Sequence, residues 1–316
     1  MATKNFLDEQ LELVLSRVIA QEYPALRYEN GDLIPTTADL DLGMSRISQR
    51  VLSQVGQAIL WSGEGMQIPS TDVSVSERDY PIRAVAAGYS LSEKEIAEAD
   101  RARRNGDIDI PLGQRKAQAS ARAIAEKIDK ITAYGEPGQG FPGFLSDPGV
   151  EEDDDSFDFY NTSNTPQAQQ EAIFDFFQEK IGKILGKVER LYQPSHILLP
   201  LDIFNRLNVP TTDANQILMN VLERQLAPYG INTITWDTRL NAQALNDNGV
   251  RGNADKDRIV IYARDPEVLE RHTGILQQAE RERSNMQEFV PYYQVLSPPQ
   301  FHFPECALYV DVPKKS

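Results

Sequence analysis

Ala117, Ala121, Ile124, Ile128 and Ile131 recur at spacings of four, three, four and three within residues 113–134. That spacing sets them on one face of an α-helix. Such a helix is about 33 Å long at about 1.5 Å per residue. Compact packing of 316 residues implies a radius of gyration of only about 20 Å. An element of this length must run as a spine along a sheet, and its alanines let that sheet approach closely.

Around the spine the chain offers parts rather than a closed unit. Leu7, Leu11, Val14 and Val18 stripe an amphipathic helix over residues 4–21, and the polar stretch after it, with Asn30, Gly31 and Pro35, reads as an extended arm. Between residues 57 and 91 the period drops to two, with Val73 and Val75, then Val85, Ala87, Tyr89 and Leu91, separated by Gly63, Gly65, Pro69 and Pro81. This predicts a long β-hairpin. Two strands alone bury too little area to stand in water, so the rest of the chain or a neighbouring subunit must cover them.

Residues 92–134 turn helical in two pieces around the strand-like 107–111. Residues 134–150, with five Gly and three Pro, read as loop, as does the acidic run 151–158 that follows. Thr165 and Pro166 open a helix whose core face is Ile173, Phe177, Ile181, Ile184, Val188 and Leu191, and Lys180, Lys183, Lys187 and Arg190 read as its solvated face. From Ser195 on, short strands at 197–199, 231–236 and 258–262 alternate with helical segments near 202–207 and 214–227, a mixed α/β layer. The last thirty residues read as β again and are expected to rejoin the first sheet.

Acids outnumber bases by 47 to 32, a net charge of -15. The average surface therefore repels phosphate and anionic lipid, which excludes coating DNA as a histone does. Hydrophobic residues at 41% and charged residues at 25% exclude collagen-like, coiled-coil and wholly disordered chains. The single cysteine, Cys306, cannot close an intrachain disulfide and reads as a small buried hydrophobe. Asp8, Glu9, Glu12 and Arg17 interrupt any apolar signal core, and no apolar run approaches the roughly 20 residues of a bilayer span. The expected setting is intracellular and free of membrane.

Tests for chemistry return little. His196, His272 and His302 lie far apart and form no HExxH or HxH pattern, so no metal or cofactor is expected. Ser90 lacks the second glycine of a nucleophile elbow. Gly138, Gly140 and Gly143 spell a dinucleotide turn, but a helix precedes them and an acidic loop follows, where a phosphate cradle needs a strand and then a helix. The acids of 151–158 match a calcium loop in charge only, because Asp158 stands where glycine is needed. They are the one motive for reading the chain as a soluble α/β enzyme with an acidic site. Asn161-Thr162-Ser163 spells a glycosylation sequon without a secretory signal.

What remains is an arm, a ribbon and a spine, each unfinished within one chain, and such parts point to assembly. The candidate contact residues are apolar Leu7 and Leu11 of the arm and Trp61, Val73 and Val75 of the ribbon. Arg101, Arg103 and Arg104 read either as a solvated turn or as bases that meet a neighbour's acids.

From Tyr89 to Val150 the order of elements resembles the major capsid proteins of tailed bacteriophages, the Hong Kong 97-type fold that encapsulin shells also use. Tyr89 with Glu95, Ile96 and Ala99 looks like the family's strand-to-helix entry. LGQRKAQASARAIAEKIDKITAYG is similar to its spine helix with the terminal glycine, and GFPGFLSDPGV to its Gly-Pro loop. The loop departs at Phe144 and at Ser146 or Asp147, where leucine and asparagine are commoner.

The resemblance implies an α+β chain with an N-terminal arm over 1–45, an extended β-hairpin loop over 46–91 and a peripheral domain over 92–195 that carries the spine helix. An axial domain over 196–284 follows, and C-terminal strands over 285–316 close the peripheral sheet. It implies a major capsid protein whose pentamers and hexamers tile an icosahedral shell around double-stranded DNA, without sequence-specific contacts. That shell would be the virion capsid, assembled in the host bacterial cytoplasm with a portal and, in some relatives, a decoration protein. The alternative on the same fold is an encapsulin-like compartment that encloses an enzyme. No lysine occurs between Lys4 and Lys94, so the isopeptide weld that some relatives make from this loop is not expected. With the loop beginning near residue 46, a separate scaffolding protein is expected rather than a fused one.

Overall fold

The computed structural model describes residues 25–55, 72–95, 97, 101, 112–160, 166–188, 192–210, 217–250 and 255–315. The helix expected over 4–21 and the strand-like 107–111 lie outside them. In chain order the strands and α-helices are β1 (Thr36–Leu40), β2 (Arg46–Val55), β3 (Asp72–Pro81), β4 (Arg83–Ser92), α1 (Leu112–Tyr134), β5 (Gly135–Glu136), β6 (Phe141–Pro142), β7 (Glu151–Asp154) and α2 (Pro166–Val188). Then come β8 (His196–Pro200), α3 (Leu201–Leu207), α4 (Leu218–Leu226), β9 (Thr233–Asp237), α5 (Ala242–Asp247), β10 (Lys256–Tyr262), β11 (Leu269–Gly274), β12 (Gln277–Gln278), β13 (Glu282–Ser284), β14 (Gln287–Leu296), β15 (Gln300–Phe301) and β16 (Ala307–Pro313).

The spine helix is α1, one residue longer than its stripe required. Its Ile124, Ile128 and Ile131 are buried with Phe141 and Leu296 against Val85, Ala87 and Tyr292 of the seven-stranded sheet. That sheet runs β1-β11-β14-β12, with β13 and β4 also on β14 and β15 on β11. Gly135, with φ of +78°, stops the helix just after Tyr134, a left-handed position that favours glycine. Gly143 lies so close to it that a Cβ there would overlap the Gly135 nitrogen. The glycines that spell a dinucleotide turn thus serve a tight β5–β6 hairpin, with no helix after it to receive a phosphate.

The second sheet has order β7-β16-β10-β8-β9. Both its faces are covered, which is why β8, β10 and β16 read as near-continuous apolar runs. Ile197, Leu199, Ile259, Ile261 and Val310 face α2, α3 and α4. Leu198, Val260, Tyr262 and Tyr309 face the other way, into the core that joins the two sheets. Phe144 is fully buried there, its ring 5.0 Å from Tyr262, 5.9 Å from Phe301 and 6.1 Å from Tyr28. Leucine would leave part of that aromatic contact unfilled, which gives the departure at Phe144 a local reason.

Four expectations need correcting. The hairpin partner of β3 is β2, whereas Val85, Ala87, Tyr89 and Leu91 lie on β4, which pairs along its whole length with β14. The arm ends earlier than residue 45, because Tyr28, Leu33 and Ile34 are core residues and β1 pairs in parallel with β11. Of the C-terminal strands, β14 and the short β15 join the seven-stranded sheet, while β16 takes an interior place in the five-stranded sheet. The acidic run begins as a strand, β7, rather than a loop.

Candidate assembly surfaces

β2 and β3 pair from Arg46↔Pro81 to Val55↔Asp72 and form a separate two-stranded sheet. Ten residues per strand make a ribbon about 33 Å long at about 3.3 Å per residue. It is fastened at its root, where Ile82 N donates to Ser45 O at 3.1 Å and Ile47 packs with Leu40, Ile82, Val295 and Tyr293. Arg46 and Ser48 both hold the Asp79 carboxylate, at 3.0 and 2.5 Å, so the root is polar on one face. Leu42 and Met44, in the turn that leads into β2, stand 54% and 48% exposed. Sequence reading passed over these two because the turn around them is polar.

Between the ribbon root and the Gly-Pro loop lies a cavity of about 570 Å³ lined by Tyr80, Pro81, Phe141, Pro142, Phe301 and Pro304, among others. Asp147 stands at its edge, and burial pushes its carboxyl above the ordinary carboxylate range.

Of the expected contact residues, Val73 and Val75 lie on β3 opposite Gln54 and Leu52. Arg101 is exposed. Leu7, Leu11, Trp61, Arg103 and Arg104 lie outside the described residues, so nothing in the structure brings the eight together. The helix that enters after β4 opens with a capping box: Ser92 N donates to Glu95 Oε2 at 3.0 Å and Glu95 N to Ser92 Oγ at 3.1 Å. Lys116 of α1 donates to Glu95 and to Ser90 O. The Ser92 amide, with Lys116, holds the Glu95 carboxyl below its ordinary range.

The body that carries the ribbon is tied by side chains reaching across sequence. Asp129 of α1 is fully buried, accepts from the amides of Tyr28 at 2.8 Å and Glu29 at 3.0 Å, and pairs with Arg239. Buried Arg271 donates to Thr132 Oγ1 at 2.8 Å and to Glu29 O at 2.9 Å, and burial pulls its guanidinium down to about 10. Tyr262 and Arg264 donate to the carbonyls of Leu33 and Gly31, each at 2.9 Å. An irregular segment is tolerated in a core only when its backbone groups find such partners.

The acids 151–155 are taken up by bases rather than gathered around an open cleft. Lys180, expected on a solvated face, is buried against Asp153 and Asp155. Cys306 is buried beside Ala263 and Val268. His272 Nδ1 lies 2.9 Å from Asp39, and His196 Nδ1 lies 2.8 Å from Ser195 Oγ. Among the described residues no group of three or more His, Cys, Asp or Glu is arranged to hold a metal ion, and no helix is long and apolar enough to cross a membrane.

A family model described as major capsid protein matches residues 56–312. The capsid of Myoviridae phage XM1 superposes with a TM-score of 0.72 at 14% identity, over 96% of this chain and 97% of that one. A chain of Mycobacterium phage Adephagia superposes at 0.59 and 12% identity, over 100% and 99%. The capsid of cyanophage P-SCSP1u superposes at 0.57 and 12% identity, over 98% and 94%. No curated protein matches this sequence. Identities this low speak to the fold alone, which is of the Hong Kong 97 type.

Proposed function

The chain belongs to the major capsid protein family, and from that membership we propose that its copies assemble through ribbon and arm into the closed icosahedral shell of a tailed bacteriophage. Family and fold are those of structural capsid proteins. The observation that carries the assembly route is the ribbon, ten residues deep, paired to neither sheet and, among the described residues, fastened to its own body at the root. An isolated ribbon is not stable alone in water, so a neighbour that covers it stabilises both. Each contact is modest, and closure multiplies it over the shell.

In this reading residues 92–195, with α1 as the spine, are the peripheral domain, and residues 196–284 are the axial domain that gathers in pentamers and hexamers. Leu7, Leu11, Trp61, Val73 and Val75 lie at subunit contacts, and Arg101, Arg103 and Arg104 meet acids of a neighbour. Double-stranded DNA is enclosed, not gripped, since a chain with net charge -15 repels phosphate. A separate scaffolding protein guides closure in the bacterial cytoplasm, and the portal occupies one vertex of the virion capsid. The test is expression alone and together with a scaffolding protein, followed by sedimentation and negative-stain imaging. Closed shells of uniform diameter are expected; monomers that persist across salt, pH and crowding conditions would refute the reading.

A further inference from the structure

Residues 151–160 run antiparallel along α2 as a strap with two unlike halves. The first half is ionic. Glu151, Asp153 and Asp155 point one way and meet Lys187, Lys183 and Lys180 in turn, so strand positions two apart match helix positions three or four apart. Asp153 lies 2.6 Å from Lys183 and 2.9 Å from Lys180. Glu152 and Asp154 point the other way, to Arg258 and Lys256 of β10. The second half is aromatic: the Phe157 and Phe159 rings lie 4.8 and 5.2 Å from Phe176, and Gln169 Nε2 donates to Phe159 O at 3.0 Å.

We propose that the ionic half, residues 151–155, is a latch that opens as one unit on acidification while the aromatic half stays docked, and that Lys180 is the positioning residue that couples its acids. Three observations converge on this. First, four consecutive acids have poor strand propensity, and β7 is the outermost strand, bonded on one side only, to β16. The ion pairs therefore hold it. Second, those pairs are unequal. Glu151–Lys187 and Asp154–Lys256 are solvent-exposed and weak, whereas Lys180 is buried, with Asp153 and Asp155 beside it and exposed Glu179 at 3.4 Å. Third, a buried ammonium that loses its carboxylates is strongly disfavoured, so the first proton on Asp153 or Asp155 weakens the whole set.

Every charged group that faces the latch bears on the sign. Burial pushes the Asp153 and Asp155 carboxyls up, but hydrogen bonds from Lys183 and Lys180 to Asp153, and from Lys180 and the Phe157 amide to Asp155, hold both below the ordinary range. The same carboxylates hold Lys180 charged. Arg258 is shared between Glu152 at 3.1 Å and Asp311 of β16 at 2.8 Å, and burial raises the Asp311 carboxyl. Carboxyls depressed by folding contribute stability that is fully present above about pH 4 and is lost as pH falls through their folded values. Opening uncovers the outer edge of β16, a row of unpaired backbone groups that can accept another strand.

The experiment is hydrogen exchange with mass-spectrometric readout on the full chain, comparing variants at one pH so that intrinsic rates cancel. At pH 5, Lys180→Met should exchange residues 151–155 at least tenfold faster than the parent chain, with α2 and β16 unchanged. Lys187→Met, which loses only an exposed pair, should stay within twofold. Asp153→Asn with Asp155→Asn imitates the acid state at pH 7 and should open the latch without touching residues 157–160. Parent-like protection of 151–155 in both the Lys180 and the double variant would overturn the proposal. So would loss of protection in 151–155, α2 and β16 together, because the latch would then be no unit of its own.

Discussion

Excising the ribbon separates what it does for its own chain from what it does for others. Ile82 N and Ser45 O are already hydrogen-bonded at 3.1 Å, so an Asn-Gly turn that joins Ser45 to Ile82 closes the gap without moving the body. Among the described residues the body then loses Ile47 against Leu40, Val295 and Tyr293, and Tyr80 and Pro81 from the cavity wall. Half-burial of one isoleucine is worth roughly 1–2 kcal/mol, which lowers Tm by about 2–4 °C in a chain of this length. Residues 46–81 carry three bases and four acids, so the net charge hardly changes and long-range repulsion between subunits stays the same. Circular dichroism melts and sedimentation velocity are the assays. The excised chain should melt cooperatively near the parent and sediment as unassembled subunits under conditions where the parent closes shells. Shells of normal size from the excised chain would refute the assignment of the ribbon to subunit contacts, and a chain that no longer folds would refute its independence from the body.

Three further outcomes can be checked in solution. Arg258→Met leaves Asp311 buried without its two 2.8 Å bonds and should cost about 3–5 kcal/mol in urea unfolding; adding Asp311→Leu should recover much of it, which a double-mutant cycle measures. Phe144→Ala empties a fully buried aromatic site and should cost about 3–5 kcal/mol, while Phe144→Leu costs clearly less. Burial pushes the Cys306 thiol up to about 11, so a thiol reagent at pH 8 should modify it no faster than the chain unfolds, and rapid reaction in native buffer would contradict its buried place.

The parts of the fold legible in the sequence are those whose signal is local. The 4-3-4-3 stripe of α1, its glycine stop at Gly135, and the apolar runs of β8 and β10 are fixed by contacts to one or two layers, and each lies within two residues of its expected bounds. Strand pairing is not local. β4 finds its partner about two hundred residues later in β14, and nothing in Val85, Ala87 and Tyr89 distinguishes that partner from β3. β2 escaped notice for a different reason: Ile47, Val51 and Val55 are spaced by four, a helical spacing. Period two is demanded only where one face of a strand is buried.

Lys180 shows what a closer reading of the helix would have found. It stands three residues after Phe177 and four before Ile184, on the buried stripe itself rather than beside it. A lysine at a core position demands a carboxylate, and the unassigned acids lay one loop upstream. The body thus spends its buried charges on fastening irregular segments, residues 25–35 through Asp129 and Arg271 and residues 151–155 through Lys180 and Arg258. Such bonds are directional and tolerate little displacement, so they hold those segments in one place. Among its described side chains the ribbon shows such bonds at its root, where Arg46 and Ser48 hold Asp79. In the proposed assembly the ribbon settles against neighbouring copies, while these buried charges hold the body that carries it in one shape.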